Sequence, residues 1–169
     1  MKDDDKLKEM TLVFYKDDVE QIEKLLAEFL RLSKAKSAIL VDKGGYFITK
    51  QGQMGSYNTD TISALVAGSF AATKEMAKIL GQEEFSVLYH QGAHDNIQLT
   101  LIGERTILAV IFDNTTTLGM VRLYVSEVAK KMNTVYENIK KRKEQPKETI
   151  SKDFGKDAGA KLDDIFDEK

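Results

Sequence analysis

A chain of 169 residues, 42% apolar and 31% charged, holds enough hydrophobic material for one domain-sized core and a tail, and its net charge of -2 leaves no electrostatic footprint for nucleic acid. The absence of cysteine excludes disulfides, thiolate metal sites and cysteine nucleophiles and fits a reducing compartment, so a cytoplasmic location is expected. No run approaches the ~20 apolar residues of a membrane span, and residues 1–10 have no apolar core of the kind a signal peptide needs, so no membrane insertion is expected.

Residues 1–10 are read as a disordered end or an expression remnant, because the Asp3-Asp4-Asp5-Lys6 cluster gives nothing to bury. From Val19 to Leu32 the apolar residues recur every three or four positions behind Asp17 and Asp18, which predicts a capped amphipathic helix. Ser37 to Val41 and Tyr46 to Lys50 are short runs of strand formers around Asp42-Lys43-Gly44-Gly45, which supplies the positive φ of a hairpin turn. A second helix is expected after Asn58 or Thr59, stopped by Gly81. Projected at 100° per residue, this helix places Ile62, Leu65, Val66, Ser69, Phe70, Thr73, Met76, Ala77 and Leu80 on one broad face, expected to pack on the sheet. The other side holds Ala64, Ala67, Gly68 and Ala71 before it turns charged at Glu75 and Lys78. A merely solvated face would carry long polar side chains, and Gly68 inside a helix costs about 0.8–1 kcal/mol relative to alanine, so a contact that offsets this is expected on the small-residue ridge. Alanine's helix propensity alone is the blander account of the same residues.

Three strands follow, Phe85 to His90, Ile97 to Ile102 and Arg105 to Phe112, with the last apolar throughout its second half and so expected at the centre of the sheet. A long helix from about Thr117 to Lys141 carries Leu118, Val121, Val125, Val128, Met132, Val135 and Ile139. With only three heptads, packing on the sheet is favoured over a coiled coil. The domain is therefore placed at residues 11–142. Residues 143–169 are a polar linker, expected to be disordered, ending in an acidic and partly apolar segment. The expected fold class is α+β, with element order α-β-β-α-β-β-β-α and a five-stranded antiparallel sheet covered by helices.

Chemistry is sparse. His90, His94 and Asp95 flank a turn without convergent metal-ligand spacing, no phosphate-binding glycine loop is present, and no nucleophile–base–orienter set can be assembled. No metal, no cofactor and no catalytic residue is expected. Arg31, Arg105, Arg122 and Arg142 are the only arginines, and nothing marks any of them as a finger reaching a partner's γ-phosphate.

Several strings in this order, Leu40-Val41-Asp42-Lys43, Ser63-Ala64-Leu65-Val66-Ala67-Gly68, Gly92-Ala93-His94-Asp95, Val110-Ile111-Phe112-Asp113-Asn114 and Thr117-Leu118-Gly119-Met120-Val121-Arg122-Leu123, together with the element order, resemble the roadblock (dynein light chain 7) family, most closely its MglB type. The likeness runs from about Leu12 to Ile139. It implies a roadblock-like, profilin-related fold and a homodimer joined along the third strand and second helix into one continuous sheet. It also implies an MglA-type Ras-like GTPase seated on the helical face, whose hydrolysis the chain stimulates in bacterial polarity or motility, concentrated at a cell pole. In this family the activator contributes no arginine finger and makes the GTPase rearrange its own active site. By position, the resemblance makes Ala64, Ala67, Gly68, Ala71 and Glu75 the GTPase-facing residues, Phe85, Val87 and Tyr89 the dimer edge, and Leu162, Ile165 and Phe166 a C-terminal contact on the same partner. Lys74-Glu75 and His94 depart from the MglB pattern, with small residues more usual at the first site and lysine at the second. The alternative function is a roadblock scaffold that binds a GTPase or motor complex without changing hydrolysis, and a small-molecule sensor rests on fold analogy alone.

Overall fold

Strand β5, Thr106–Phe112, is apolar at nearly every position because it is covered on both faces, and the rest of the domain is arranged around it. The computed structural model describes residues 12–144. Its elements are α1 (Lys16–Ser33), β1 (Ser37–Asp42), β2 (Phe47–Gly52), α2 (Thr59–Ile79), β3 (Val87–Gln91), β4 (Asn96–Ile102), β5 and α3 (Leu118–Glu144). The expected order and the five antiparallel strands are found, each expected element shifted by a few residues at most. The strands lie in the order β2-β1-β5-β4-β3, so β3, β4 and β5 form a meander and β1 joins it through the ladder from Ser37–Ile111 to Asp42–Thr106.

Alternation sorts the side chains of this sheet into two cores. On one face Ala38, Leu40, Ile102, Leu108, Val110 and Phe112 pack under α1 and α3, which bury Ile22, Leu26 and Phe29 and the whole row Val121, Val125, Val128, Met132, Val135 and Ile139. The long helix is thus a sheet-packing helix, as its spacing indicated. On the other face Ile39, Val41, Leu99, Ile107 and Ala109 meet only α2, through Val66 and Phe70. Two helices cover one face and one covers the other.

Local chemistry sets the ends. The cap of α1 differs from expectation: Asp18 stands inside the first turn and its carboxylate accepts the Tyr15 backbone N–H at 2.8 Å, so Tyr15 is the N-cap. Asn58 caps α2 by accepting the Thr61 N–H at 3.0 Å. Under α3 the Tyr136 hydroxyl shares a hydrogen bond of 2.9 Å with Thr106, whose own hydroxyl donates to the Ile102 carbonyl at 2.7 Å, so a buried phenol is satisfied and burial raises its pKa.

Gly52 closes β2 at φ +94°, where a Cβ would fall on the Lys36 carbonyl oxygen and lie 2.8 Å from Leu30 Cδ1 and 2.9 Å from Ser37 Cα. Two of these neighbours are backbone and cannot yield. Gly52→Ala should therefore cost roughly 2–4 kcal/mol from strain and overpacking together, read as a lower urea midpoint at unchanged slope. A midpoint equal to that of the parent protein would show that the α1–β1 connection relaxes freely.

Candidate functional site

The α2 helix lies over β1, β2 and β5 and leaves the β3–β4 side of its face uncovered, where Leu88, Ile97 and Leu101 are only partly buried. Of its own residues Ser63, Val66, Ala67, Phe70 and Ala77 are buried. The expected core face is correct for Val66, Phe70 and Ala77 but not for Leu65, Met76 and Leu80: Leu65 is 66% exposed, Met76 53% and Leu80 68%, with Ile79 at 85%. The core-facing arc is narrower than the apolar arc of the sequence, because a single helix on a flat sheet can seat only about a third of its circumference. What remains is an apolar flank, Leu65, Ala72, Met76 and Ile79 at intervals of seven, four and three residues, turned to solvent. The breadth of the apolar arc was the sign available in the sequence; it marks a helix that needs more cover than one sheet provides.

The small-residue ridge lies on the other side of the exposed surface. Ala64, Gly68 and Ala71 are exposed, as is Glu75. Ala67 is not. It is 7% exposed and faces the β1–β2 turn, where a Cβ on Gly45 would lie 3.7 Å from its own Cβ and 3.4 Å from Ala64 Cα. Ala67 is thus small because the turn passes over it, a reason internal to the domain that the helical projection alone missed. Gly68 has no such reason, since a Cβ built there meets nothing within 4 Å.

Several polar side chains of α2 are satisfied within the helix. The hydroxyls of Ser63, Ser69 and Thr73 donate to the carbonyls of Thr59, Leu65 and Phe70 at 2.6, 2.9 and 3.0 Å. Glu75 is paired with Lys78 at 2.7 Å, and that ammonium holds its carboxyl below the usual carboxylate range.

The proposed dimer edge resolves into different parts. Phe85 precedes β3, in the loop, where it is half-buried. Val87 is on the strand and 40% exposed. Tyr89 turns inward: its ring stacks on Phe112 with centroids 6.2 Å apart, and its hydroxyl donates to Asn96 Oδ1 at 3.2 Å. What β3 offers outward is therefore its backbone, bonded to β4 on one side only. The other free edge, β2, is guarded by the exposed Lys50 and by an irregularity at Leu40/Val41, whereas β3 carries no lysine, arginine or carboxylate.

None of the four arginines stands on α2. Arg31 and Arg122 belong to α1 and α3, on the opposite face of the sheet, and Arg142 to the end of α3. Arg105 is held by Asp42, with Nε 3.6 Å from Oδ2. Asp95 is engaged by Lys36 at 2.9 Å. Among the described residues no three histidine, aspartate or glutamate side chains come together as a metal site, and no helix is long and apolar enough to cross a membrane. Leu162, Ile165 and Phe166 lie outside the described residues.

Known proteins with this architecture share its sequence as well. Over 76% of the chain and 96% of the other, it is 35% identical to the structure of Myxococcus xanthus MglB, with a TM-score of 0.71. It is 31% identical to the gliding protein MglB from Thermus thermophilus, over 76% of this chain and 97% of that one, with a TM-score of 0.69. An MglB described as having a tetrameric arrangement matches at 31% identity and a TM-score of 0.72, again over 76% and 97% of the two chains. The Roadblock/LC7 domain model matches residues 21–112, from the first helix through the central strand, and with these likenesses it establishes that the chain belongs to the Roadblock/LC7 family, alongside its MglB members.

Proposed function

We propose that this protein is a homodimeric, non-enzymatic activator of an MglA-type Ras-like GTPase, working in cell polarity or gliding motility. The observation that carries the reading is Gly68: a glycine in mid-helix, exposed, with open space where its Cβ would be, on a ridge shared with Ala64 and Ala71. Its cost in helix propensity has no return inside the subunit, and a backbone approaching from outside would supply one.

Self-association is supported by the other flank. Leu65, Met76 and Ile79 on α2 are apolar and exposed, Leu88 and Ile97 are only partly buried on the face of the sheet that α2 covers, and the β3 edge is unprotected, features that a two-fold interface between identical copies would use. The likeness to an MglB in tetrameric arrangement points the same way. On this reading α2 has two duties, the large apolar flank toward its twin and the small-residue ridge toward the GTPase.

Activation then proceeds without a residue donated to the γ-phosphate, in keeping with an α2 surface free of arginine. The dimer binds the hydrolysis-competent conformation of the GTPase more tightly than the resting one and raises its population. The likeness to a gliding protein supports the cellular setting.

Phosphate release from an MglA-type GTPase of the same organism, measured with and without the chain beside a binding titration, tests this. Faster release that survives substitution of Arg31 and Arg122 is expected. Saturable binding with no acceleration would replace the activator by the scaffold, and no binding would leave the family assignment alone.

A further inference from the structure

We propose that the β1–β2 tip forms a second contact for the same GTPase, with Tyr46 as its aromatic anchor. The inference rests on the reading that the GTPase sits on the α2 ridge, and it extends that surface beyond the helix. Tyr46 is 76% exposed, and among the described residues its hydroxyl has no hydrogen-bond partner. Single exposed aromatics are ordinary on protein surfaces; the platform under this one is not.

The tip is held from several directions. Asp42 accepts the Gly44 N–H at 2.7 Å on its carboxylate and the Gly45 N–H at 2.8 Å on its carbonyl, while Lys43 donates its backbone N–H to the Arg105 carbonyl at 2.8 Å. The Lys43 ammonium reaches both oxygens of Glu84 at 2.8 and 2.9 Å, tying the tip to the loop after α2. The tyrosine ring rests on Gly44, where an added Cβ would come within 3.2 Å of it. Asp42 and Lys43 spend their charges on Arg105 and Glu84, so the group presented outward is the ring. A pre-organised aromatic loses little conformational entropy on binding, which is why such side chains dominate interface energetics.

Position selects the occupant. Gly45 lies against Ala64 and Ala67, so the tip and the ridge make one continuous surface. The strand order β2-β1-β5-β4-β3 puts this hairpin at the edge opposite β3, out of reach of a second copy joined along β3. The partner that covers the ridge is the one that meets Tyr46.

The test titrates an MglA-type GTPase of the same organism, loaded with a non-hydrolysable GTP analogue, with the full chain and its Tyr46→Ala, Tyr46→Phe and Ala71→Arg variants. Tyr46→Ala should weaken binding about 10- to 100-fold with an unchanged melting temperature and oligomeric state, and Tyr46→Phe should fall between. Parental affinity in Tyr46→Ala while Ala71→Arg abolishes binding would overturn the second contact and leave the ridge standing. Parental affinity in both would overturn the ridge, and the inference with it.

Discussion

Replacing Gly68 or Ala71 by arginine should abolish stimulation of GTP hydrolysis while the domain melts no lower than before. Both positions are exposed on α2, and at Gly68 even the first side-chain atom has open space around it, so the long side chain meets nothing in its own subunit. The obstruction exists only for a partner: a guanidinium stem a few ångströms tall on a surface meant for backbone approach separates the two proteins over the whole ridge. Ala71 lies farther from the Leu65 flank, so Ala71→Arg is the variant in which the homodimer must survive. Gly68→Ala gives the complementary result. On helix propensity alone it should stabilise the domain by about 0.8–1 kcal/mol, and if the glycine serves close approach, the same methyl group should weaken GTPase binding. A stabilised variant with undiminished activation would place the GTPase elsewhere.

If the exposed flank of α2 joins two copies as proposed, Leu65→Asp or Met76→Asp should convert the dimer to monomers without unfolding them. More than half of each of these residues is exposed, so a carboxylate there loses little packing. In a two-fold interface each substitution enters twice. Losing ~1.5–3 kcal/mol of burial per side chain on both copies corresponds to a rise in the dimer Kd on the order of 10²- to 10⁴-fold, before the desolvation of two carboxylates is added. Sedimentation velocity over a concentration series reads this directly. A dimer of parental strength in both variants would move self-association to a surface that does not include this flank of α2.

The pattern of residues revealed the fold and the small-residue ridge of α2, but not the exposed apolar flank beside it. Helices, hairpins and the central β5 follow from spacing, turn glycines and an uninterrupted apolar run, all of them local signals. Whether an apolar residue of α2 faces the sheet or the solvent is not local: Leu65 and Val66 are neighbours in sequence with equal claims to burial, and the width of the sheet under the helix decides between them. Ala67 shows the converse. Its small size suggested an outside partner, and the reason is a turn contributed by Gly45, far away in the chain. The resemblance made Tyr89 an edge residue by its position, but a position in a strand does not tell which side is covered, and α1 and α3 cover that one. Gly68 was legible because helix propensity is intrinsic, and open space around it leaves that argument intact.

The single ladder between β1 and β5 also bears on how the chain acquires its structure. Each of the other strand pairs, β1 with β2, β3 with β4 and β4 with β5, joins neighbours in sequence and can close over a short turn. Only the rungs from Ser37–Ile111 to Asp42–Thr106 bring distant parts of the chain together, and α2 lies inside the loop they close. The sheet is thus two hairpin-like halves fastened by one seam, and closing that loop carries the entropic penalty that sets the rate of folding. During synthesis α1, β1, β2 and α2 emerge first, and the edge of β1 that pairs with β5 stays without its partner until β5 leaves the ribosome, an interval in which an unpaired strand edge is open to chaperones.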